Sequence, residues 1–268
     1  MKKNKFSGVY AALLLLFLYA PIIILIVFSF NSEKGYSWQG FSLKWYKELF
    51  SNELIIESFR NTLIVALIAS VFATILGTMA AIGVYSMKNK MAKGVIKNVT
   101  NFPLINPEIV TGISLMLLFA ALRMNGNGWV TLIIAHITFC VPSVFLSILP
   151  KLRQINSNLY EAAMDLGCSP AKAFQKVVIP EIMPGIITGF LMALTYSIDD
   201  FVISYFTAGK LQTLPITIYS MVKKRVSPEI NALSTIIFVA VLVVLLVTNI
   251  RDIHKEKELE KKRNARRG

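Results

Sequence analysis

The stretch Asn158-Leu-Tyr-Glu-Ala-Ala-Met-Asp-Leu-Gly167-Cys-Ser-Pro-Ala-Lys-Ala-Phe-Gln-Lys-Val-Val-Ile-Pro180 carries two short helix signals about one glycine. Asn158 is placed to cap the first helix, with Glu161 in its first turn. Gly167 sits where a left-handed helix end favours a residue without Cβ. Ser169-Pro170 restarts a helix, Ser169 as cap and Pro170 at the first helical position. Phe174, Val177 and Val178 form its apolar face, and Pro180 is expected to end it. Both ends of the stretch run directly into apolar segments, so the two short helices form a loop between membrane spans.

The rest of the chain fits that expectation. It has 268 residues, 55% hydrophobic and 16% charged, whereas a soluble domain carries about 25% charged residues. Mean hydropathy is +0.61. An ordinary soluble enzyme and a disordered chain are both excluded. A membrane helix needs roughly 20 mostly apolar residues. Six segments qualify: Gly8–Phe30, Thr62–Tyr85, Phe102–Met124, Gly128–Leu149, Ile182–Phe206 and Ala232–Ile250. The first follows Lys2, Lys3 and Lys5, as a secretory signal does. Its apolar run exceeds the roughly 7–15 residues of a signal core and no cleavage site follows, so a retained helix is expected.

Lys88, Lys90, Lys93 and Lys97 lie between the second and third spans, with no acid among them. The tail holds Arg251, Lys255, Lys257, Lys261, Lys262, Arg263, Arg266 and Arg267. The positive-inside rule places both segments, and the N-terminus, in the cytoplasm. Lys210, Lys223, Lys224 and Arg225 fall outside, against the majority. The net charge of +13 is thereby explained by cytoplasmic loops, with no need for nucleic acid. Cys140 and Cys168 make no disulfide framework. Phe41–Phe50 predicts a short surface helix, capped by Ser42, with Leu43, Tyr46, Leu49 and Phe50 on one face and Trp45 at headgroup depth. Small residues recur along Ala66, Ser70, Ala73, Gly77 and Ala81, and along Gly185, Gly189 and Ala193. These stripes pack helices within the subunit or against a partner.

The inter-span loop has three readings: a DNA-binding helix-turn-helix, a plain amphipathic connector, or a docking element for a cytoplasmic motor. Continuation into membrane spans at both ends counts against the first. Glu161-Ala162-Ala163, then Gly167, Phe174, Val177 and Pro180, resembles the EAA loop of permease subunits in binding-protein-dependent ABC importers, both in spacing and in position before the penultimate span. The resemblance covers roughly Asn61–Ile250, the five-span core of that family, with the first span as an N-terminal addition. It implies an all-α, polytopic type I ABC importer permease fold with six transmembrane helices, in the cell membrane of a prokaryote. It also implies three partners: a second permease subunit forming a heterodimer, two copies of a cytoplasmic ABC ATPase, and an extracytoplasmic binding protein. In that family the loop helices enter a groove on the ATPase, which would make Glu161, Ala162, Ala163 and Gly167 the coupling residues. The expected organisation is an N-terminal helix and external loop over 1–60, the permease core over 61–250 with its coupling loop at 155–180, and a basic cytoplasmic tail over 251–268.

No catalytic, cofactor or metal site is expected in the chain. A phosphate loop fails twice at Gly209-Lys210, where Leu211 follows and Ser204 stands in place of the first glycine. His136 and His254 have no ligand partner at metal spacing, and His136 is expected to be a hydrogen-bonded bundle histidine. The chemistry lies in intramembrane acids. A carboxylate at a span centre costs about 2.5–3.5 kcal/mol, so Asp199 and Asp200 should not face lipid. Tyr196, Asp200 and Ser204 recur every four residues with Ser197 beside them, predicting one polar helix face. Glu108 follows Asn106-Pro107, and with Pro103 nearby a broken helix is predicted, as along transport paths. For Asp199 and Asp200 the alternative is an interhelical salt bridge or helix-end hydrogen bonding; for Glu108 it is exposure at the cytoplasmic boundary. Acids and aromatics together favour a cationic passenger, with Tyr196 or Tyr205 adding cation–π attraction. Asn106-Pro-Glu-Ile-Val-Thr-Gly112 and the Ser197-Ile-Asp-Asp-Phe201 run are similar to the polyamine (spermidine/putrescine) branch of these permeases, specifically its second permease subunit. That resemblance implies a substrate path containing Asp199, Asp200, Glu108, Tyr196, Ser197 and Trp45, and an external polyamine-binding protein. The alternatives are an importer for an oxyanion or iron, and an ion-coupled secondary transporter using the two aspartates as a proton relay.

Overall fold

The computed structural model describes residues 5–35, 37–124, 128–224, 228–240, 242, 243 and 246. Twelve α-helices are described in chain order: α1 Lys5–Ser29, α2 Lys44–Ser51, α3 Glu53–Ser86, α4 Lys90–Ile105, α5 Glu108–Ala121, α6 Gly128–Gln154, α7 Ser157–Asp165, α8 Pro170–Ala173, α9 Ile179–Asp199, α10 Val202–Thr207, α11 Leu214–Lys224 and α12 Pro228–Ala240. No strand occurs among the described residues, only an isolated bridge between Asn31 and Phe41. Two compact units result, Met1–Glu53 with Ile218–Gly268, and Leu54–Thr217.

Among the described residues, four helical stretches are long and apolar enough to cross a membrane: Gly8–Ser29, Glu53–Ser86, Gly128–Gln154 and Pro170–Asp199. Glu108–Ala121 and Pro228–Ala240 are apolar but shorter. The predicted third span, Phe102–Met124, is therefore two helices. Pro107, with φ −55° and ψ 131°, separates α4 from α5 because a proline lacks the amide that would continue the ladder. The predicted fifth span, Ile182–Phe206, also breaks, at Asp200. Most of the predicted sixth span beyond Ala240, and the whole basic tail including His254, lie outside the described residues.

The core of the second unit is organised on α6. Phe145, Ile148 and Leu152 of α6 pack with Ala73, Ala81 and Val84 of α3 and with Val178, Ile182 and Ala193 from the α9 side. Both small-residue stripes serve this packing, so they work within the subunit. A Cβ on Gly77 would lie 2.7 Å from Val144, and one on Gly189 would lie 2.5 Å from Ser147 Oγ. Polar groups in these apolar helices are satisfied locally, as lipid or a dry core requires. Ser70, Thr74 and Thr78 of α3 each donate to the carbonyl four residues earlier. The polar end of α3 holds the segment after α10. Asn61 Nδ2 donates to Gln212 O, Thr62 Oγ1 accepts from Leu214 N, and Ser58 pairs with Thr217.

The loop after α6 differs in detail from its predicted shape. Asn156, not Asn158, caps α7, accepting from Asn158 N at 3.0 Å. Glu161 thus lies beyond the first turn. Ser169 occupies the cap position of α8 without a capping side-chain bond. Pro180 does not end the second helix. A π-turn at Phe174–Val178 joins α8 to α9, with Ile179 N donating to Phe174 O. The wider turn shifts the hydrogen-bond register just ahead of the proline, which sits in the first turn of α9 where no amide is needed.

In the first unit, Asn31 holds the loop before α2. Its side chain donates to Glu33 O and Ser37 O and accepts from Gln39 N. The predicted apolar face of α2 is rotated. Trp45 and Leu49 are buried, while Leu43 and Phe50 are exposed. Trp45 Nε1 donates to Asn31 O at 2.6 Å, which holds the indole against the loop before α2.

Candidate functional site

Three helix ends of the second unit meet beside Phe139, about 17 Å along α6 from Gly128 at 1.5 Å per residue. α5 begins there at Glu108, α9 ends there at Asp199, and α10 begins there at Val202. Between them lies a cavity of about 400 Å³, within the range of small-molecule sites. Glu108 and Asp199 both line it, with Tyr196, Phe139 and Phe201 as aromatic walls and Asn106 and Thr111 as polar ones. Asn106 Nδ2 donates to Thr111 Oγ1 at 3.1 Å, which ties the chain break to the first turn of α5. Glu108 and Asp199 are exposed toward this space, and among the described residues no basic side chain pairs with either.

Asp200 is different. The sequence pattern put Tyr196, Asp200 and Ser204 on one continuous helix face, but the backbone turns extended at Asp200, with φ −64° and ψ 119°. Its Oδ1 accepts from Ile203 N at 3.2 Å and its Oδ2 from Ser204 N at 2.7 Å. The carboxylate caps α10 and competes with continuation of α9. His136 Nε2 lies 3.5 Å from Oδ2, and both side chains are almost fully enclosed. Asp200 therefore borders the cavity while its oxygens are engaged in packing. The helix-end alternative read from the sequence applies to it, and not to Asp199.

These positions give the cavity its sign. The positive N-terminal ends of α5 and α10 are met by Glu108 and Asp200, whereas α9 presents its negative C-terminal end together with Asp199. The balance favours a cation, and the aromatic faces suit an ammonium group.

Of the predicted path residues, the structure brings together Glu108, Tyr196, Asp199 and the edge of Asp200. Ser197 lies behind the wall, 2% exposed, and bonds His136 Nδ1 at 2.6 Å. Trp45 belongs to the other compact unit and is not among the lining residues. Tyr205 is exposed elsewhere on α10. Phe139 was not anticipated, since nothing in its apolar run marks it apart from its neighbours. In the α7–α8 loop, Gly167 has φ +85°, and Cys168 N donates to Ala163 O while Gly167 N donates to Met164 O, the predicted left-handed helix end. Glu161, Ala162 and Gly167 are exposed and Ala163 is half-buried.

The sequence profile of the family described as "Binding-protein-dependent transport system inner membrane component" matches residues 73–254. The spermidine/putrescine transport system permease protein PotC of Escherichia coli (strain K12) is 39% identical over 236 residues, covering 87% of this chain and 89% of PotC. The putrescine transport system permease protein PotI of the same strain is 39% identical over 261 residues, covering 94% of this chain and 92% of PotI. Among solved structures, a bacterial ABC transporter involved in the import of the acidic polysaccharide alginate superposes with TM-score 0.70 at 17% identity, covering 93% of this chain and 97% of that chain. The same kind of transporter, in complex with an alginate pentasaccharide-bound periplasmic protein, gives TM-score 0.68 at 18% identity, covering 91% of each. At such identities these two likenesses speak for the fold alone.

Proposed function

The chain belongs to the inner membrane components of binding-protein-dependent transport systems, and from that premise we propose that it forms the translocation path for polyamines in an ATP-driven importer. It spans the membrane six times with both termini in the cytoplasm, the arrangement that the lysine distribution favours. It pairs with a second permease subunit, two copies of an ABC ATPase and an extracytoplasmic polyamine-binding protein. ATP is hydrolysed in the ATPase, and the chain itself makes and breaks no covalent bond. Closure of the motor moves the Glu161–Gly167 loop, and the joined spans carry that movement to the cavity, which opens inward.

The observation that carries the passenger assignment is the pair of carboxylates Glu108 and Asp199, which have no basic partner among the described residues and face one aromatic-walled cavity. Unpaired intramembrane acids are costly unless they face an interior or a water-filled cavity, and a linear polyammonium offers both charge and apolar length to such a site. An oxyanion path would need basic groups where these acids stand. Tyr196 supplies cation–π attraction, and the oxygens of Asn106 and Thr111 accept hydrogen bonds from ammonium N–H groups.

The test is uptake by vesicles holding the assembled importer. Labelled putrescine should accumulate with ATP and binding protein, should not be displaced by sulfate or ferric ion, and should persist with a protonophore. Uptake driven by a proton gradient without ATP would establish the secondary-transporter alternative instead.

A further inference from the structure

We propose that His136 is a positioning residue for the cation path, clasping both sides of the α9–α10 break and so fixing the direction from which Asp199 meets the cavity. The inference rests on the passenger reading above. His136 is 1% exposed on α6 and uses both ring nitrogens. Nδ1 bonds Ser197 Oγ at 2.6 Å in the last turn of α9, and Nε2 bonds Ser204 Oγ at 3.0 Å in the first turn of α10. Asp200 Oδ2, 3.5 Å from Nε2, closes the set. Ser197 and Ser204 flank the break, with Asp199 between them. One imidazole therefore holds the end of α9 and the start of α10 at fixed separation, behind the wall that Asp199 faces.

The His136 ring meets Phe139 edge-on at 5.3 Å between centroids, and Phe139 lines the cavity. The clasp thus touches the wall on two sides. Apolar residues of similar volume pack such a position at least as stably as a buried polar set. What they lack is a fixed geometry across a chain break, and that is what a carboxylate directed at a passenger needs. Sequence patterning does not show the clasp, because His136, Ser197 and Ser204 are brought together only by the packing of α6 on α9 and α10.

The test compares His136→Leu with His136→Gln in the assembled importer, because a glutamine amide reaches the place of Nε2 and keeps the α10 side held. Putrescine uptake per assembled complex should fall about 10-fold in His136→Leu, the scale of one lost charge-assisted contact, and should recover largely in His136→Gln. A second arm does not depend on the passenger. In a Cys168→Ser background, the thiol introduced by Asp199→Cys is labelled with a cationic methanethiosulfonate, and His136→Leu should change its labelling rate by about 5-fold or more while His136→Gln does not. An unchanged labelling rate in His136→Leu would overturn the proposal, as would uptake that falls only in step with the amount of complex. Wild-type importer that takes up no putrescine would count against the passenger reading, and the labelling arm would still decide the clasp.

Discussion

Gly167→Val isolates the geometry of the α7–α8 loop. Gly167 has φ +85°, and a Cβ placed on it meets nothing within 4 Å. Within the chain a Cβ at this position meets no neighbour, so the penalty considered is that of the backbone. The left-handed region costs an ordinary L residue roughly 1–2 kcal/mol, and a β-branched residue falls toward the upper end of the roughly 1–3 kcal/mol given for such strain. At about 1.4 kcal/mol per decade, 2–3 kcal/mol lowers the population with the native angle between α7 and α8 by about 30- to 150-fold. Asn tolerates this region, so Gly167→Asn should stay close to wild type, with Gly167→Ala between. The assay is co-purification of the ATPase subunit with the permease, alongside ATP-dependent uptake. Both should decline in the order Asn, Ala, Val while the amount of permease in the membrane holds. Normal uptake by a well-expressed Gly167→Val variant would refute the assignment of this loop as the coupling element.

Gly189→Val should destabilise the unit built on α6, because the new Cβ would lie 2.5 Å from Ser147 Oγ and 3.1 Å from Val144 Cα; overpacking of about 1–3 kcal/mol is expected, read as a lower unfolding temperature in detergent. Asp200→Asn should reduce assembled protein before it reduces transport per complex, since it weakens the cap of α10 and its contact with His136; weakening hydrogen bonds to a buried charged group costs about 1.5–3 kcal/mol, measurable by thermal unfolding. A reporter fused near Met91 should lie in the cytoplasm and one near Ser51 outside, and an external signal from Met91 would overturn the proposed orientation.

The long apolar helices were legible because their signal is local: uninterrupted hydrophobic runs, with proline marking the break at Pro107. Gly167 was legible for the same reason, since a left-handed helix end depends on neighbours in sequence. The break at Asp200 was not, because four-residue spacing of Tyr196, Asp200 and Ser204 looks the same whether the helix continues or a carboxylate turns to cap the next one. The fate of Pro180 was hidden likewise, because the π-turn sits where Phe174, Val178 and Ile182 pack on the α6 core, a contact between segments distant in sequence. Small-residue stripes announced close approach without naming the partner, which the Gly77–Val144 and Gly189–Ser147 approaches supply. The cavity was half legible. Its acids stood out against an apolar background, but Phe139 and the clasp of His136 arise only from helices distant in sequence.

Uptake by the importer carrying Glu108→Gln and Asp199→Asn tests the cationic path most directly. Both changes keep side-chain size and remove charge, and neither residue has an ionic partner among the described residues, so the complex should assemble at wild-type levels. The account predicts that labelled putrescine uptake per complex falls about 10-fold in each single variant and further in the double, following the loss of one charge-assisted contact at each site. Wild-type uptake by the assembled double variant would contradict it and remove both acids from the path.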